Sequence, residues 1–495
     1  MPLSNVSRVL SWDQETIDSL VAKACEVAQK VGLCLEDDSR GVYLKEAESK
    51  GLKVDWPARA VMFTAGDIAE TIAAMRQTAP APQPLRERPK ATSRESRFTV
   101  GNSANMLFDW DRWQVKQPTR KDLAEVCMWA QGCDDVECLW PPVRIQDVDL
   151  ALAPMYSYAV MAKYCRKDLL HEHPTLPIHV VYLDKMARVI EKRRGFLQPM
   201  QEWEYVNAPM KMGFRAIETV LLRFDLGICK SVGVGSMAIK GMTAPVTIAG
   251  LAVMAVAESL AGLTLLRVLR PGIGLRGGAA TGTLDLRTGR VSYFGMQGHL
   301  QNIAAWELFV RGLGVDATCF GFYREANEPG MQATYEFGMA QALFSGLVEP
   351  VHAEIGGLGN GSVFSPEQAV LDMELAKEFN ELQHGFEVSE EAIGLDDIVG
   401  YRFESAAHMA SERTLAHMLD GVPFSSFLFR GLTGPVQHEK GNTQTDQLMA
   451  KAAKAVKTDR EKGRKAGPDT EIANELYELV EQAAGELGIE APPLP

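Results

Sequence analysis

The chain has 495 residues and a formal net charge of −13 at pH 7. Its composition, 46% hydrophobic and 23% charged, is typical of a globular protein, and the acidic balance argues against nucleic acid or an anionic membrane as the main partner. The first residues contain no basic start followed by an apolar run, and the eight cysteines include no CxxC spacing. We therefore expect a cytoplasmic protein with reduced thiols and no structural zinc site.

Strand-like and helical stretches alternate along most of the chain. Residues 77–98 are rich in proline and charge, which predicts a connection, and residues 97–110 predict a first strand. Six further strand-like runs are each followed by a helical stretch, which is the pattern of parallel strands with right-handed helical crossovers. Those runs cover residues 136–145, 176–183, 228–237, 273–286, 315–323 and 350–357.

This order predicts an α/β fold, and a closed (β/α)8 TIM barrel in preference to an open doubly wound sheet. Residues 397–403 are a candidate for the eighth strand, and residues 448–487 predict charged, Ala-rich helix outside the barrel. The expected domains are an amino-terminal extension with its linker (1–95), the barrel (96–430) and a carboxyl-terminal helical tail (431–495).

Two stretches invite a membrane or metal interpretation. Residues 244–266 are long and apolar enough for a membrane span, but the run stands alone and contains Glu258, so we predict a buried helix. The "HEH" at His171–His173 is the densest metal-like spot. His residues two apart suit a strand better than a helix, and Pro174 follows directly, so a solvated loop is the prediction.

Glycine-rich segments follow two of the predicted strands. "GIGLRG" at 272–277 matches GxGxxG but continues into more strand and turn, so it does not predict a dinucleotide site. Gly233 and Gly235, with Gly278 on the next strand, would let a large planar cofactor or a partner approach the backbone closely. Tight strand–helix packing is the alternative.

Several blocks resemble one family, the trimethylamine:corrinoid methyltransferase (MttB) superfamily. The likeness covers roughly residues 100 to 390, and the block "GMTAPVTIAGLAVMAVAESLAGLTLLRVLRPG" is its longest part. Val256 stands where the family often has a polar residue. The resembling blocks are residues 101–110, 141–148, 241–272, 282–295, 331–336 and 356–372.

The resemblance implies a TIM barrel that moves a methyl group from a methylated amine to the cobalt of a separate corrinoid protein. Tyr323 falls where the trimethylamine enzyme carries pyrrolysine, so the chain resembles the non-pyrrolysine branch, whose members demethylate quaternary amines such as glycine betaine, proline betaine or carnitine. The corrinoid-ligating pattern Asp-x-His-x-x-Gly is absent. We therefore expect the corrinoid (cobalamin) to be carried by a small partner protein and not bound tightly by this chain. Assembly into a homo-oligomer remains open.

Methyl transfer from a quaternary ammonium releases a neutral amine, so it requires no general acid. The protein must desolvate the cation, orient one methyl and exclude water. Such cations bind on aromatic faces. The aromatic residues near predicted strand ends or their loops are Trp110, Trp113, Trp140, Phe322 and Tyr323.

Charged residues near the same strand ends complete the predicted site. Arg324 and Arg276 could bind a substrate carboxylate, although surface ion pairs are the alternative for both. Glu325 and Glu354 could balance the cation, His352 lies beside Glu354, and Tyr323 with Glu325 are the candidate catalytic residues. A non-catalytic binding or regulatory barrel and a methyltransferase for another methylated compound remain open.

Overall fold

A computed structural model describes the chain at residues 12–79, 98–195, 203–319, 323–344, 354–384, 388–404, 406–419, 427 and 443–495. A π-helical segment, Leu308–Leu313, continues α9, and a short 3-10 helix covers His408–Ala410. The α-helices are α1 (Gln14–Val31), α2 (Val42–Ser49), α3 (Ala65–Thr78), α4 (Arg120–Gly132), α5 (Ala153–Tyr164), α6 (Pro177–Arg194), α7 (Phe214–Asp225), α8 (Ile248–Leu269), α9 (Met296–Glu307), α10 (Met331–Phe344), α11 (Pro366–His384), α12 (Glu390–Ile393), α13 (Leu395–Tyr401), α14 (Glu412–Leu419), α15 (Gln444–Ala466) and α16 (Thr470–Leu487).

The strands are mostly short. They are β1 (Leu33–Glu36), β2 (Lys53–Asp55), β3 (Ala60–Met62), β4 (Phe98–Val100), β5 (Met106–Asp109), β6 (Gln114–Lys116), β7 (Val136–Leu139), β8 (Asp168–Leu169), β9 (Trp203–Val206), β10 (Lys211–Gly213), β11 (Ser231–Ser236), β12 (Ile239–Lys240), β13 (Gly274–Ala279), β14 (Gly282–Asp285), β15 (Arg290–Ser292), β16 (Ala317–Cys319), β17 (Gly357–Leu358) and β18 (Val363–Phe364).

Two parallel sheets form the centre of the fold. One has the order β4–β7–β8 and the other β9–β11–β13–β16, and each parallel pair is connected through at least one helix. The α/β prediction is therefore confirmed. The closed barrel remains a prediction. Residues 320–322 of the predicted strand 315–323 and residues 350–353 of the predicted strand 350–357 lie outside the described residues.

Two predicted strands are helices. Residues 176–183 begin α6, where Pro177 occupies the first turn, a position that needs no backbone N–H donor. Residues 397–403 fall mainly in α13, whose first turn carries Asp396 and Asp397, and acidic groups stabilise a helix amino terminus. In the segment predicted to be helical, Trp203–Val206 is instead strand β9, with alternating burial.

Helix α8 is the apolar helix that the sequence predicted to be buried. Among the described residues it alone has the length and composition of a membrane-crossing helix, and 78% of that stretch is buried inside the protein. Its carboxylate, Glu258, accepts hydrogen bonds from the Met210 N–H at 2.9 Å and the Ser236 hydroxyl at 2.5 Å. Burial raises the pKa of Glu258 to about 7. The carboxylate thus connects α8 to the end of β11.

Both ends of the described chain pack onto the α/β body. Helices α1 and α3 pack against α8 and share its apolar core, while α15 packs on α4, and α16 packs on α5 and α6. At the α4–α15 contact two glycines let the backbones touch. A Cβ on Gly132 would lie 1.8 Å from the Asp459 carbonyl oxygen, and one on Gly463 would lie 1.8 Å from the Met128 carbonyl oxygen.

We predict that Gly463→Ala destabilises the protein by about 1–3 kcal/mol, because the added methyl must push the two helices apart. Gly485→Ala is the matched control. This glycine lies within α16 with open space around its Cβ position, so the change should stabilise by about 0.5–1 kcal/mol through helix propensity. Urea unfolding of both variants measures the difference. Equal stabilities would contradict the close helix contact.

Candidate functional site

Tyr323 and Glu354 lie side by side although 30 positions separate them in the chain. The segment after β16 and the loop before β18 are joined by backbone hydrogen bonds, from Asn360 N–H to the Arg324 carbonyl at 2.5 Å and from Gly359 N–H to the Ala326 carbonyl at 2.8 Å. A Cβ on Gly361 would lie 3.3 Å from the Tyr323 ring and 3.4 Å from a Glu354 carboxylate oxygen. The phenol and the carboxylate therefore flank the same glycine.

Two further tyrosines face this pair. The Tyr293 ring, from the end of β15, lies with its centroid 5.2 Å from that of Tyr323. Tyr205 of β9 is close enough that the Glu354 charge acts on it and on Tyr323 alike. We call Tyr205, Tyr293, Tyr323 and Glu354 the tyrosine–carboxylate cluster.

The cluster is poorly solvated but not closed to solvent. Burial raises the pKa of Glu354 to about 7, against the opposing effects of Arg324 and of a hydrogen bond from Asn102. Burial and the Glu354 charge raise the pKa of Tyr205 to about 12 and that of Tyr323 well above its usual value. All four residues nevertheless keep part of their surface accessible. A half-neutralised carboxylate among phenol rings is suited to accept a cation.

A buried ion pair holds the loop that carries Glu354. Arg324 donates from its two terminal nitrogens to the two carboxylate oxygens of Asp372, each at 2.8 Å, and these side chains are 1% and 0% exposed. Arg324 also donates to the Glu354 carbonyl at 2.7 Å. Asp372 in turn accepts from the Gly356 N–H and from the Gln368 amide, both at 2.8 Å.

Comparison with known proteins places the sequence in a family. A model of the trimethylamine methyltransferase (MTTB) family matches residues 3–487. The chain belongs to this family.

Relatives of this MTTB-family protein come from archaea and bacteria. It is 26% identical over 288 residues to trimethylamine methyltransferase MttB2 of Methanosarcina mazei and 30% identical over 299 residues to MttB of Methanosarcina barkeri, with 56% of each chain covered in both cases. The chain thus matches about half the length of these archaeal relatives. It is 21% identical over 421 residues to MttB of Desulfitobacterium hafniense, covering 82% of this chain and 81% of that protein.

Among solved structures, the monomethylamine methyltransferase (MtmB) of Methanosarcina barkeri matches with a TM-score of 0.40 and 12% sequence identity. That match covers 90% of this chain and 94% of MtmB.

The two predicted carboxylate-binding arginines of this family member have separate surroundings. Arg324 is the buried partner of Asp372, so its terminal nitrogens are already occupied. Arg276 forms an ion pair with Asp316 at 2.9 Å, is about half exposed and lies in the amino-terminal half of β13. Arg276 is therefore away from the carboxyl ends, where Tyr323 lies, and the surface ion pair expected as its alternative is the arrangement observed.

The three glycines predicted to contact a cofactor lie against aromatic rings of the protein itself. A Cβ on Gly233 would lie 2.5 Å from the Trp203 indole, one on Gly278 would lie 3.1 Å from it, and one on Gly235 would lie 3.0 Å from the Tyr205 ring. The protein's own aromatic rings occupy the space that the glycines leave open. The missing side chains therefore admit Trp203 and Tyr205 rather than a planar cofactor.

The structure describes the surroundings of all three predicted tryptophans. Trp110 packs on Trp113 with ring centroids 5.1 Å apart and lines a cleft of about 590 Å3 between β5, α4 and α15. Trp113 donates its indole N–H to Glu328 at 3.0 Å. Trp140 directly follows β7, and its indole N–H is buried without a partner. The structure does not bring Trp110 into the tyrosine–carboxylate cluster.

Three more predictions differ in outcome. Phe322 and His352 lie outside the described residues. Glu325 donates its backbone N–H to Glu336 at 2.8 Å, and one oxygen of its own carboxylate is buried without a partner. Its catalytic role stays a prediction.

The "HEH" segment is not the solvated loop that the sequence predicted. His171 and Glu172 are 2% and 5% exposed, Glu172 forms an ion pair with Arg144, and burial lowers the pKa of His171 to about 4. His173 lies 3.1 Å from the Glu204 carboxylate. The Arg144 charge compensates that of Glu172, and the lowered pKa keeps His171 neutral near pH 7, so this segment can be buried.

Sequence reasoning missed Tyr205, Tyr293 and Asn102. The alternation in "WEYV" was a signal for a strand with Tyr205 on one face, and "RVSYFG" carries a comparable signal for Tyr293. Asn102 directly follows β4 and could have been found from its position at a strand end.

We predict that Asp372→Asn destabilises the protein by roughly 3–5 kcal/mol, because the Arg324 charge would remain buried without its carboxylate partner. Asp316→Asn removes the carboxylate from the half-exposed pair with Arg276 and should cost at most about 1 kcal/mol. Guanidinium unfolding of the two variants measures both values. A similar loss of stability in both variants would contradict the role of the buried Arg324–Asp372 ion pair.

Proposed function

We propose that the protein is a corrinoid-dependent methyltransferase that moves a methyl group from a quaternary amine, of the glycine betaine type, to Co(I) of a separate corrinoid protein. The observation that carries this proposal is the tyrosine–carboxylate cluster. Membership of the MTTB family, whose relatives are named trimethylamine methyltransferases, supports methyl transfer from an amine.

The chemistry of the cluster favours a methylated ammonium ion. Three tyrosine rings offer aromatic faces, and Glu354 supplies a negative charge once it is ionised. The poor solvation that raises the Glu354 pKa also strengthens its attraction for a cation that replaces the proton. A quaternary nitrogen has no N–H to donate, so ring faces and an unspecific charge suit it better than directed hydrogen-bond acceptors.

This chain's residues would bind and orient the amine rather than react with it. When docked, the partner's Co(I) supplies the nucleophile, and the leaving group is a neutral amine that requires no proton. The rings would exclude water and point one methyl away from Glu354, toward the open side of the cluster. Because the charge on nitrogen fades during transfer, moderate binding of the cation favours turnover over very tight binding.

The residues that would bind the end of the substrate opposite the ammonium group are less well defined. The terminal nitrogens of Arg324 are occupied by Asp372 and the Glu354 carbonyl, and Arg276 is paired with Asp316. Selectivity for a betaine carboxylate would then depend on other groups. Comparing glycine betaine with choline, which shares the cationic head but has no carboxylate, separates recognition of the head from recognition of the tail.

We also propose that the two parallel sheets are arcs of one closed barrel and that the corrinoid protein docks over its carboxyl end. Support comes from the repeated strand–helix order and from Tyr323 and Tyr293, which both follow strands at that end. Trp203 and Tyr205 cover the glycines on which a planar ring could lie, so the residues of this chain do not fit a resident corrinoid there.

The deciding experiment mixes the purified protein with Co(I) cobalamin and each of glycine betaine, choline and trimethylamine, and follows the visible spectrum for methylcobalamin. We expect methylation with at least one quaternary amine. Binding of the amine without any methylation, with free cobalamin and with the cognate corrinoid protein, would instead indicate the non-catalytic binding protein.

We predict that Tyr323→Ala weakens binding of the quaternary amine by roughly 0.5–2 kcal/mol, because it removes one cation–π face. Tyr401→Ala, on α13, is the matched control and should leave the affinity unchanged. Calorimetric titration and thermal melts are measured together. If Tyr323→Ala lowered the melting temperature but left the affinity unchanged, Tyr323 would contribute to packing and not to binding of the amine.

Affinity for the quaternary amine should rise with pH and level off above about pH 7. Glu354 has a pKa of about 7 in the free protein, and the cation favours its ionised form, so binding below that pH must expel a proton. The affinity should therefore fall by up to about tenfold per pH unit on the acid side. Quaternary amines do not titrate, which leaves the protein as the source of the effect. Glu354→Gln should bind weakly at every pH, and an unchanged pH profile in this variant would exclude Glu354.

A further inference from the structure

A second polar site lies behind the tyrosine–carboxylate cluster, between the sheet β12–β14–β15 and helix α9. In this sheet Lys240 pairs with Thr283, which pairs with Ser292. Gly282 directly precedes Thr283 on β14 and therefore faces the opposite side of the sheet. A Cβ on Gly282 would lie 3.1 Å from the Tyr293 ring. Side chains alternate between the two faces, so Tyr293 faces the cluster and Lys240 faces the other way.

Lys240 is a covered cation without a counter-ion. Only 5% of its surface is accessible. Its ammonium donates to the Gln297 side-chain oxygen at 2.8 Å and forms no ion pair within the part of the chain that the structure describes. Burial lowers its pKa, and no acidic side chain opposes that effect. The buried arginines differ, since Arg223 faces Glu204 and Arg324 faces Asp372.

A second unused donor lies beside Lys240. Gln301 is fully buried, its side-chain oxygen accepts from the Thr283 hydroxyl at 3.1 Å, and its side-chain nitrogen has no partner. Lys240 and Thr283 are paired neighbours on one face of the sheet, and their partners Gln297 and Gln301 are one turn apart on α9. The unpartnered amide nitrogen of Gln301 therefore lies on the same face of α9 as Gln297, which accepts from the Lys240 ammonium.

The start of α9 adds to the positive potential. Its N-cap is Gly295, which offers no side-chain oxygen to the first backbone N–H groups, and its first turn contains no acidic residue. Uncapped N–H groups at a helix amino terminus attract anions. In a chain of net charge −13, an ammonium, a primary amide and a helix amino terminus converge here without a carboxylate.

We propose that Lys240, the Gln301 amide and the first turn of α9 bind a small oxyanion, a carboxylate or phosphate group, at a site separate from the one that takes the ammonium ion. The anion would accept from Lys240 and Gln301 together. Its binding fixes the sheet β12–β14–β15 against α9, and with it the position of Tyr293.

The test uses the full chain and two probes, formate for a carboxylate and inorganic phosphate for a phosphoryl group, each compared with chloride at equal ionic strength. We expect at least one probe to raise the unfolding temperature of the native protein, with a shift that grows with the logarithm of its concentration. Calorimetric titration of the same probe should give a saturating isotherm. The probe that responds identifies the chemistry of the anion.

Three variants make the result specific. Lys240→Met should lose the response, while Lys53→Met, at an exposed position on β2, should keep it. Gln301→Glu places a carboxylate beside Lys240. It should therefore unfold at a higher temperature than the native protein without any probe, and should no longer respond to one. An equal response in the native protein and Lys240→Met would be a general salt effect and would overturn the proposal, as would a native protein that responds to neither probe.

Discussion

The ion pair between Arg324 and Asp372 is the interaction on which the candidate site depends. It connects the end of the β16 segment to α11, and through Gly356 and the Glu354 carbonyl it also fixes the loop between them. That loop has little regular structure, since β17 and β18 are two residues each and their pairing with each other and with β5 is correspondingly short. A pair of buried charges rarely adds net stability over apolar packing, but it tolerates one geometry only. Here that geometry places Glu354 beside Tyr323.

The poor solvation of the tyrosine–carboxylate cluster affects both the charge of Glu354 and the binding of a cation beside it. Removing water from around Glu354 makes its negative charge costly, and it makes any cation that arrives beside that charge more strongly bound. In the proposed function, the same property would let the phenol rings act as a surface for a methylated nitrogen, because water would not compete for it. Parallel strands direct their carboxyl ends to one edge, and the cluster draws Tyr205 from β9 and Tyr323 and Glu354 from the segments after β16 and before β17. Tyr293 joins them from the end of β15, which pairs antiparallel with β14 in a separate sheet.

The sequence predicted the units of the fold better than its site. Runs that enter the described sheets as β7, β11, β13 and β16 were found because each is apolar and precedes a long helix. Strand β8 has two residues, too short for any periodic pattern, and β9 has four residues within a stretch that was predicted to be helical. Tyr323 was found from its position at a strand end. Arg324 could not be assigned from sequence, because its partner Asp372 is 48 positions away and a buried ion pair leaves no local pattern.

The contact between Trp203 and the glycines of neighbouring strands has a consequence for the family's evolution. Since the indole lies where a side chain on Gly233 or Gly278 would project, the size of residue 203 and the presence of these glycines form one steric unit across three strands. A family member with a small residue at position 203 would gain room inside the sheet, and larger residues could then replace the glycines. Such linked changes would mark the members of the family whose interior has been reshaped for a different substrate.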